Sequence, residues 1–470
     1  MNWTLRILLI LVLLAPTGFA QKEAPMPKDL PPYGPEKPVQ APSVKAEKLD
    51  NGLTVWLVSE PGFPKIALTV AIRGGFAADP GNRPGISELL LAAVDQGTKK
   101  RTAKQVAQDF QAAGGDLNGN ATKDDLEMST VILSSKLDLA MNALADVLQN
   151  ATFPDAEVAL AKRNLTDSLE QREAEPFFLA QRARDQALYK DHPYHVVAAT
   201  KESVAAATAG ELREIYAQRL RPDQAVLVAV GDFQNDKMLE TIKANLGAWK
   251  APSTAPVGAA PVPSPSLEHA VFVVKRPGSV QTTVEMATFG PRRNDADYAA
   301  TQVANAIYGG AFSSRLITNI REDKGYTYSP FAFLSPFQES AELVTHADVR
   351  NEVTAPSLNE IQYELNRLAT TSPTDEELSK AKHFLLGLEA LRLQDRGSVA
   401  GRLATLWISG LPPEEIGIYG QKVGATTAAD VNAAAKKYFV PYRATIIAVG
   451  EEQVIRDAVS PLGLEVRTTP

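Results

Sequence analysis

The chain repeats itself. Thr208-Ala209-Gly210-Glu211-Leu212 is echoed by Thr427-Ala428-Ala429-Asp430-Val431, and the run PDQAVLVAVGD from Pro222 by PYRATIIAVGE from Pro441, both at an offset of 219 residues. Two matches that keep one register over such a separation mark a duplicated domain of about 200 residues, a period far above that of solenoid repeats. Whatever fold the chain adopts has to be built twice.

Punctuation along the chain agrees with this division. Between the copies lies APSTAPVGAAPVPSPS, residues 251–266, whose proline content favours extended, hydrated backbone over packing and reads as a linker. The copies are then residues 44–250 and 267–470. A second proline-dense stretch, residues 21–43, reads as a tether. Before it, in residues 1–20, Arg6 precedes an apolar run from Ile7 to Ala15 and the small residues Gly18 and Ala20 flank Phe19, the pattern of a cleaved secretory signal. The run is too short to span a bilayer, and no cysteine follows it to carry a lipid. An exported, periplasmic protein with no stable membrane span is expected.

Within each copy, β-branched runs alternate with amphipathic stretches. Leu53–Ser59 and Ile66–Arg73 read as paired strands, followed by strands at Leu126–Leu133 and Val226–Val230. Helical periodicity occupies Ile86–Asp95, Ala103–Ala113, Lys136–Gln149 and Asp155–Arg172. The second copy has strands near Ala270–Lys275, Thr282–Phe289, Glu339–Ala347 and Ala444–Val449. Strands and helices mix without a regular parallel crossover, so the class is α+β: two homologous domains, each a mostly antiparallel sheet covered by helices.

Composition removes several chemistries. With no cysteine among 470 residues there are no disulfides, no thiolate nucleophile and no cysteine-bound zinc. Histidine is limited to His192, His195, His269, His346 and His383, and in His192-Pro193-Tyr194-His195 the proline argues for a turn rather than a ligand pair. A net charge of −7 with no long basic block makes nucleic acid an improbable partner.

RPGISELLLAAVDQGT, from Arg83 to Thr98, follows two strands and a glycine-containing turn, and GGAFSSRLITNIREDKGYTYSPFAF runs from Gly309 to Phe333. Together with the duplication and the proline-rich join, these segments resemble the pitrilysin/insulinase family of zinc peptidases, the inverzincins. That family places H-x-x-E-H on the first of these helices, two histidines on one helical face binding zinc and the glutamate activating its water. In register with Gly85 and Gly97-Thr98, the ligand positions fall on Glu88 and Ala92 and the general-base position on Leu91. The third ligand, a glutamate on a later helix, falls on Glu170. Leucine and alanine offer no lone pair, and the two remaining carboxylates do not make a competent catalytic zinc site.

The second segment keeps what the resemblance implies is a substrate-facing pair, Arg321 and Tyr328, able to hydrogen-bond a substrate carbonyl oxygen as it gains charge. The resemblance also implies that the turn Gly114–Thr122 enters an edge strand able to accept a peptide by strand addition, where Asn118 and Asn120 bond the peptide main chain. By resemblance the chain is the metal-free subunit of a heterodimeric zinc endopeptidase acting on unfolded peptides. It holds no cofactor, forms half of a clamshell chamber, and its homologous partner carries H-x-x-E-H and the zinc. The alternatives are a non-catalytic peptide-binding or assembly scaffold of the same fold, and an independent zinc peptidase using Glu88, Glu170 and a histidine.

Overall fold

The computed structural model describes residues 40–264 and 269–469, so the expected signal sequence and most of the expected proline-dense tether lie outside the described residues. The first half carries strands β1 Lys45–Lys48, β2 Thr54–Ser59, β3 Lys65–Arg73, β4 Asn118–Ala121, β5 Asp125–Leu133 and β6 Ala225–Gly231. The second carries β7 Ala270–Lys275, β8 Gln281–Phe289, β9 Phe331–Pro336, β10 Ala341–Arg350, β11 Thr445–Gly450 and β12 Glu465–Thr468. Each half forms one six-stranded mixed sheet, ordered β1-β2-β6-β3-β5-β4 and β12-β7-β11-β8-β10-β9. Apart from the outer strand at one end, the two orders superimpose, and the α+β duplication expected from the repeated segments is present.

One expected pairing is corrected. The strands at Leu53–Ser59 and Ile66–Arg73 are not neighbours, because β6 lies between them, parallel to β2 and antiparallel to β3. The reason is in AVLVAVG itself, buried at every position. A strand apolar on both faces is satisfied only inside a sheet with both faces covered.

Covering both faces is where the halves interlock. In the first half, α1 Ile86–Ala93, α2 Ala103–Ala113, α3 Leu137–Asn150 and α4 Asp155–Glu173 lie in one core with Leu227 and Ala229 of β6. The alternate residues Val226, Val228 and Val230 pack on Val399, Leu403 and Ala404 of the helix Arg396–Ile408, which belongs to the second half. The exchange is reciprocal: Ile447 and Val449 of β11 pack on Ala180 and Ala183 of α5 Pro176–Tyr189, from the first half. The offset of 219 carries α5 onto residues 395–408, so the swapped helices are copies of each other.

Residues 251–264 form neither helix nor strand and dock on the first half, accepting hydrogen bonds at Thr254 O from Arg221 (2.8 Å) and at Pro261 O from His192 Nε2 (2.7 Å). The other ring nitrogen of His192 accepts from the Tyr194 N–H (3.1 Å), and His195 Nδ1 lies 2.9 Å from His192 O, so both imidazoles hold the turn. No helix among the described residues is long and apolar enough to cross a membrane.

Candidate functional site

Helix α1 starts at Gly85, in left-handed backbone (φ 74°) where an added Cβ would sit 2.1 Å from Ala199 Cα, so only glycine fits. Ser87 in the first turn receives Arg219 Nη1 (2.7 Å), and Arg219 also binds Asp79 (2.8 Å) and Gly75 O (2.9 Å). On this fixed helix Glu88 points at protein, not at solvent. Arg172 Nη2 of α4 donates to its Oε1 (2.6 Å) and the Ala199 N–H to its Oε2 (3.0 Å). Leu91 is buried and Ala92 exposed. Glu170 lies two residues before Arg172, mostly exposed, and faces Lys201 Nζ at 3.4 Å.

These positions do not fit a metal. The carboxylate that remains on α1 is neutralised by a guanidinium, and a dication set beside Arg172 would be repelled. Among the described residues no three histidine, aspartate or glutamate side chains gather as a possible metal set.

Strand β4 crosses over α1. Among the described residues it pairs only with β5, from Asn118 opposite Ser129 to Ala121 opposite Leu126, and no strand among them pairs with its other edge. Gly119 faces Leu91, where an added Cβ would meet Leu91 Cβ at 3.2 Å. By strand alternation Asn118 and Asn120 point the other way, and both are exposed.

Arg321 stands on Ile317–Asp323, a stretch of π-helix, with Lys324 N reaching back to Asn319 O (3.2 Å) and Tyr326 N to Ile320 O (2.8 Å). Such widened turns recur at functional sites. The pair Gly309-Gly310 ends a second such turn, Ala306–Gly310, where an added Cβ on Gly309 would meet Ala332 Cβ of β9 at 2.8 Å. The Arg321 guanidinium lies 4.6 Å from the ring centre of Phe312 and 4.9 Å from that of Tyr328, while the Tyr328 side chain is 80 % exposed. Among the described residues no carboxylate or carbonyl engages Arg321 or the Tyr328 hydroxyl. The two aromatic faces hold the cation by its π surface and leave its N–H groups free for a ligand. No hydrogen bond, ion pair or ring contact among the described residues joins this pair to Glu88, Leu91, Ala92, Glu170, Asn118 or Asn120.

A polar cluster that periodicity did not disclose lies between the halves. Arg184 and Asp185 of α5 are buried; Arg184 reaches Glu285 (3.0 Å) and Glu342 (3.0 Å), and Lys123 reaches Asp185 (2.6 Å). His346 sits 3.2 Å from Glu285 and 3.4 Å from Asp348, against the rings of Phe331 and Phe177. Burial pulls the His346 pKa down, but the hydrogen bonds and charges of Asp348 and Glu285 outweigh it and push the imidazole up to about 9. Burial raises Glu342 to about 7, reinforced by Asp185 and opposed by Arg184. Nothing local in the sequence sets these residues apart, because charged side chains are mostly exposed.

Comparison with known proteins agrees with this architecture. The family model described as insulinase (peptidase family M16) matches residues 54–199, and the one described as peptidase M16 inactive domain matches residues 206–385. An uncharacterised zinc protease of Mycobacterium leprae is 28 % identical over 384 residues, covering 78 % of this chain and 83 % of the relative. One of Rickettsia felis is 25 % identical, covering 78 % and 89 %. The crystal structure of a peptidase M16 inactive domain from Pseudomonas fluorescens superimposes with a TM-score of 0.80 at 26 % identity, over 87 % of this chain and 98 % of that one. A protease from Helicobacter pylori shares the fold, with a TM-score of 0.82 at 19 % identity, over 87 % of this chain and all of that one. Across both of its duplicated halves the chain is a homologue of the insulinase, or M16, peptidase family.

Proposed function

We propose that this chain is the metal-free subunit of a heterodimeric, exported zinc endopeptidase that acts on unfolded peptides. The zinc, its ligands and the general base would come from a homologous partner bearing H-x-x-E-H. The observation that carries the reading is a contrast: the carboxylate left on α1 is taken by Arg172, whereas Arg321 is held by two aromatic rings and has no acid partner among the described residues.

The chemistry assigned to this chain is binding and charge stabilisation. An extended peptide adds to the open edge of β4 by main-chain hydrogen bonds, which asks little of its sequence, and Asn118 and Asn120 add contacts to its backbone. Arg321 and Tyr328 donate hydrogen bonds to the carbonyl oxygen of the bond being cut as negative charge builds on it, which favours the transition state over the ground state. Location in the periplasm, with delivery by residues 1–20, is part of the proposal.

The test is a peptidase assay with a quenched peptide on the purified chain, on a homologue with the intact motif, and on their mixture. Activity only in the mixture is expected; chelator-sensitive cleavage by the chain alone would overturn the assignment. A second reading, a peptide holder or assembly scaffold, is favoured by the open β4 edge, which needs no metal to bind an extended chain. It prevails if Arg321→Ala and Tyr328→Phe leave the mixture fully active while the dimer still forms.

A further inference from the structure

The duplication gives the α1 and α4 site a counterpart in the second half. The helix Tyr298–Asn305 follows β8 as α1 follows β3, and the helix Asp375–Arg392 lies where the offset of 219 carries α4. The same offset places Glu389 at the counterpart of Glu170. In the first half this place holds the Glu88–Arg172 pair, with Gly119 of β4 lying over Leu91. In the second half it is a cavity of about 350 Å³.

Its wall is cationic. Arg293, Arg392 and Arg402 line it against one acidic side chain, Glu389. Arg402 Nη2 donates to Glu389 Oε1 (2.5 Å), which accounts for one of the three positive charges. The Arg293 guanidinium lies 4.7 Å and 4.6 Å from the ring centres of Tyr298 and Tyr419, and among the described residues no carboxylate pairs with Arg293 or Arg392. Burial lowers the Arg402 pKa, and the repulsion of Arg293 and Arg392 acts in the same direction against the attraction of Glu389.

Several polar atoms here lack partners among the described residues. Glu389 is 2 % exposed and its Oε2 has no donor; the buried Arg402 Nε has no acceptor; Asn305 Oδ1, also buried, has no donor. Buried polar groups are nearly always hydrogen-bonded, so three orphaned atoms around one cavity point to something that fills it. Two uncompensated guanidinium groups say what its charge is.

We propose that this cavity is a binding site for an anionic group, a carboxylate or a phosphate, held by Arg293, Arg392 and Arg402, with Glu389 Oε2 accepting from a donor elsewhere on the same ligand, the amide N–H next to a peptide carboxylate or the O–H of a singly protonated phosphate. Guanidinium groups suit such oxyanions because their planar forks can donate two parallel N–H bonds. Tyr298 and Tyr419 keep Arg293 pointed without consuming its donors. The site rests on its own geometry and stands or falls independently of the peptidase reading, because Arg321 and Tyr328 do not line it.

The experiment is calorimetric titration of the full chain at constant ionic strength with inorganic phosphate, with a trialanine peptide bearing a free carboxyl terminus, and with the same peptide amidated. Arg392→Gln and Arg293→Gln serve as variants; Arg392 is exposed and unpaired, so its loss leaves the fold intact, as the melting temperature verifies. Saturable binding of phosphate or of the free-acid peptide, absent for the amide, is expected, and each variant should weaken it about tenfold, the worth of one charge-assisted bond. Binding of phosphate but not the acid peptide assigns the site to free phosphate, and the converse to a peptide carboxylate. No binding of either at millimolar concentration, or binding that both variants leave unchanged, overturns the proposal.

Discussion

Arg321 and Glu88 show how neighbours decide what a charged side chain can do. Glu88 has an arginine and a backbone N–H on its two oxygens, so its charge is spent within the protein. Arg321 has aromatic faces, which hold a cation without occupying its donors. On the proposed mechanism, Arg321→Ala or Tyr328→Phe in the reconstituted mixture lowers kcat about 100-fold or more, the usual cost of an oxyanion donor. The melting temperature should hardly change, since Tyr328 is exposed and Arg321 has only ring contacts. The first half offers a complementary test. Glu88→His, Leu91→Glu and Ala92→His together should still fail to hold zinc in a titration with a metal-binding dye. Arg172 and Lys201 remain, and unit charges about 4 Å apart repel by about 4 kcal/mol at an effective dielectric near 20. Adding Arg172→Gln and Lys201→Gln should restore stoichiometric binding; tight zinc in the triple variant would show that these cations do not oppose it.

Among the elements, the exchanged helices α5 and Arg396–Ile408 matter most for the fold. Each supplies the apolar cover for a strand of the other half, through Ala180 and Ala183 on β11 and through Val399 and Leu403 on β6. Leu403 is fully buried, and Leu403→Ala should cost about 2–5 kcal/mol in denaturant unfolding, the range for a leucine cavity. Ala183→Leu, which inserts bulk between α5 and β11, should cost about 1–3 kcal/mol by overpacking. The sequence carried the apolar runs of β6 and β11. It did not say which helix covers which strand, because a helix and a two-sided apolar strand fit equally well from either half. The expected pairing of Leu53–Ser59 with Ile66–Arg73 fails for the same reason: adjacency in sequence is local, and the insertion of β6 from about 150 residues further on is a tertiary event.

For the molecule as a whole, the exchange implies that the halves fold as one cooperative unit. Residues 40–264 and 269–469 produced separately should each be insoluble or molten, and co-expression should recover the native state, read from a single calorimetric transition. The cluster of Arg184, Glu285, Glu342 and His346 lies on the same seam and makes stability depend on pH. Because the native His346 pKa is raised to about 9 from 6.5, its contribution is complete below pH 6.5 and fades as pH rises to 9. Glu342, raised from 4.5 to about 7, adds a penalty of the same sign as it ionises between those values. The melting temperature should therefore decline from mildly acidic to alkaline pH, and His346→Gln should flatten the decline between pH 6.5 and 9.

The duplication, the α+β class, most strand positions, the first four helices and the loss of donors from α1 follow from the amino-acid order, because periodicity, turn residues and the absence of lone pairs are local properties. The pairing of Glu88 with Arg172, the π-helical seat of Arg321, the helix exchange and the arginine-walled cavity required the folded chain. Each depends on groups far apart in sequence meeting at distances of a few ångströms, and nothing in a linear string ranks one such meeting above another.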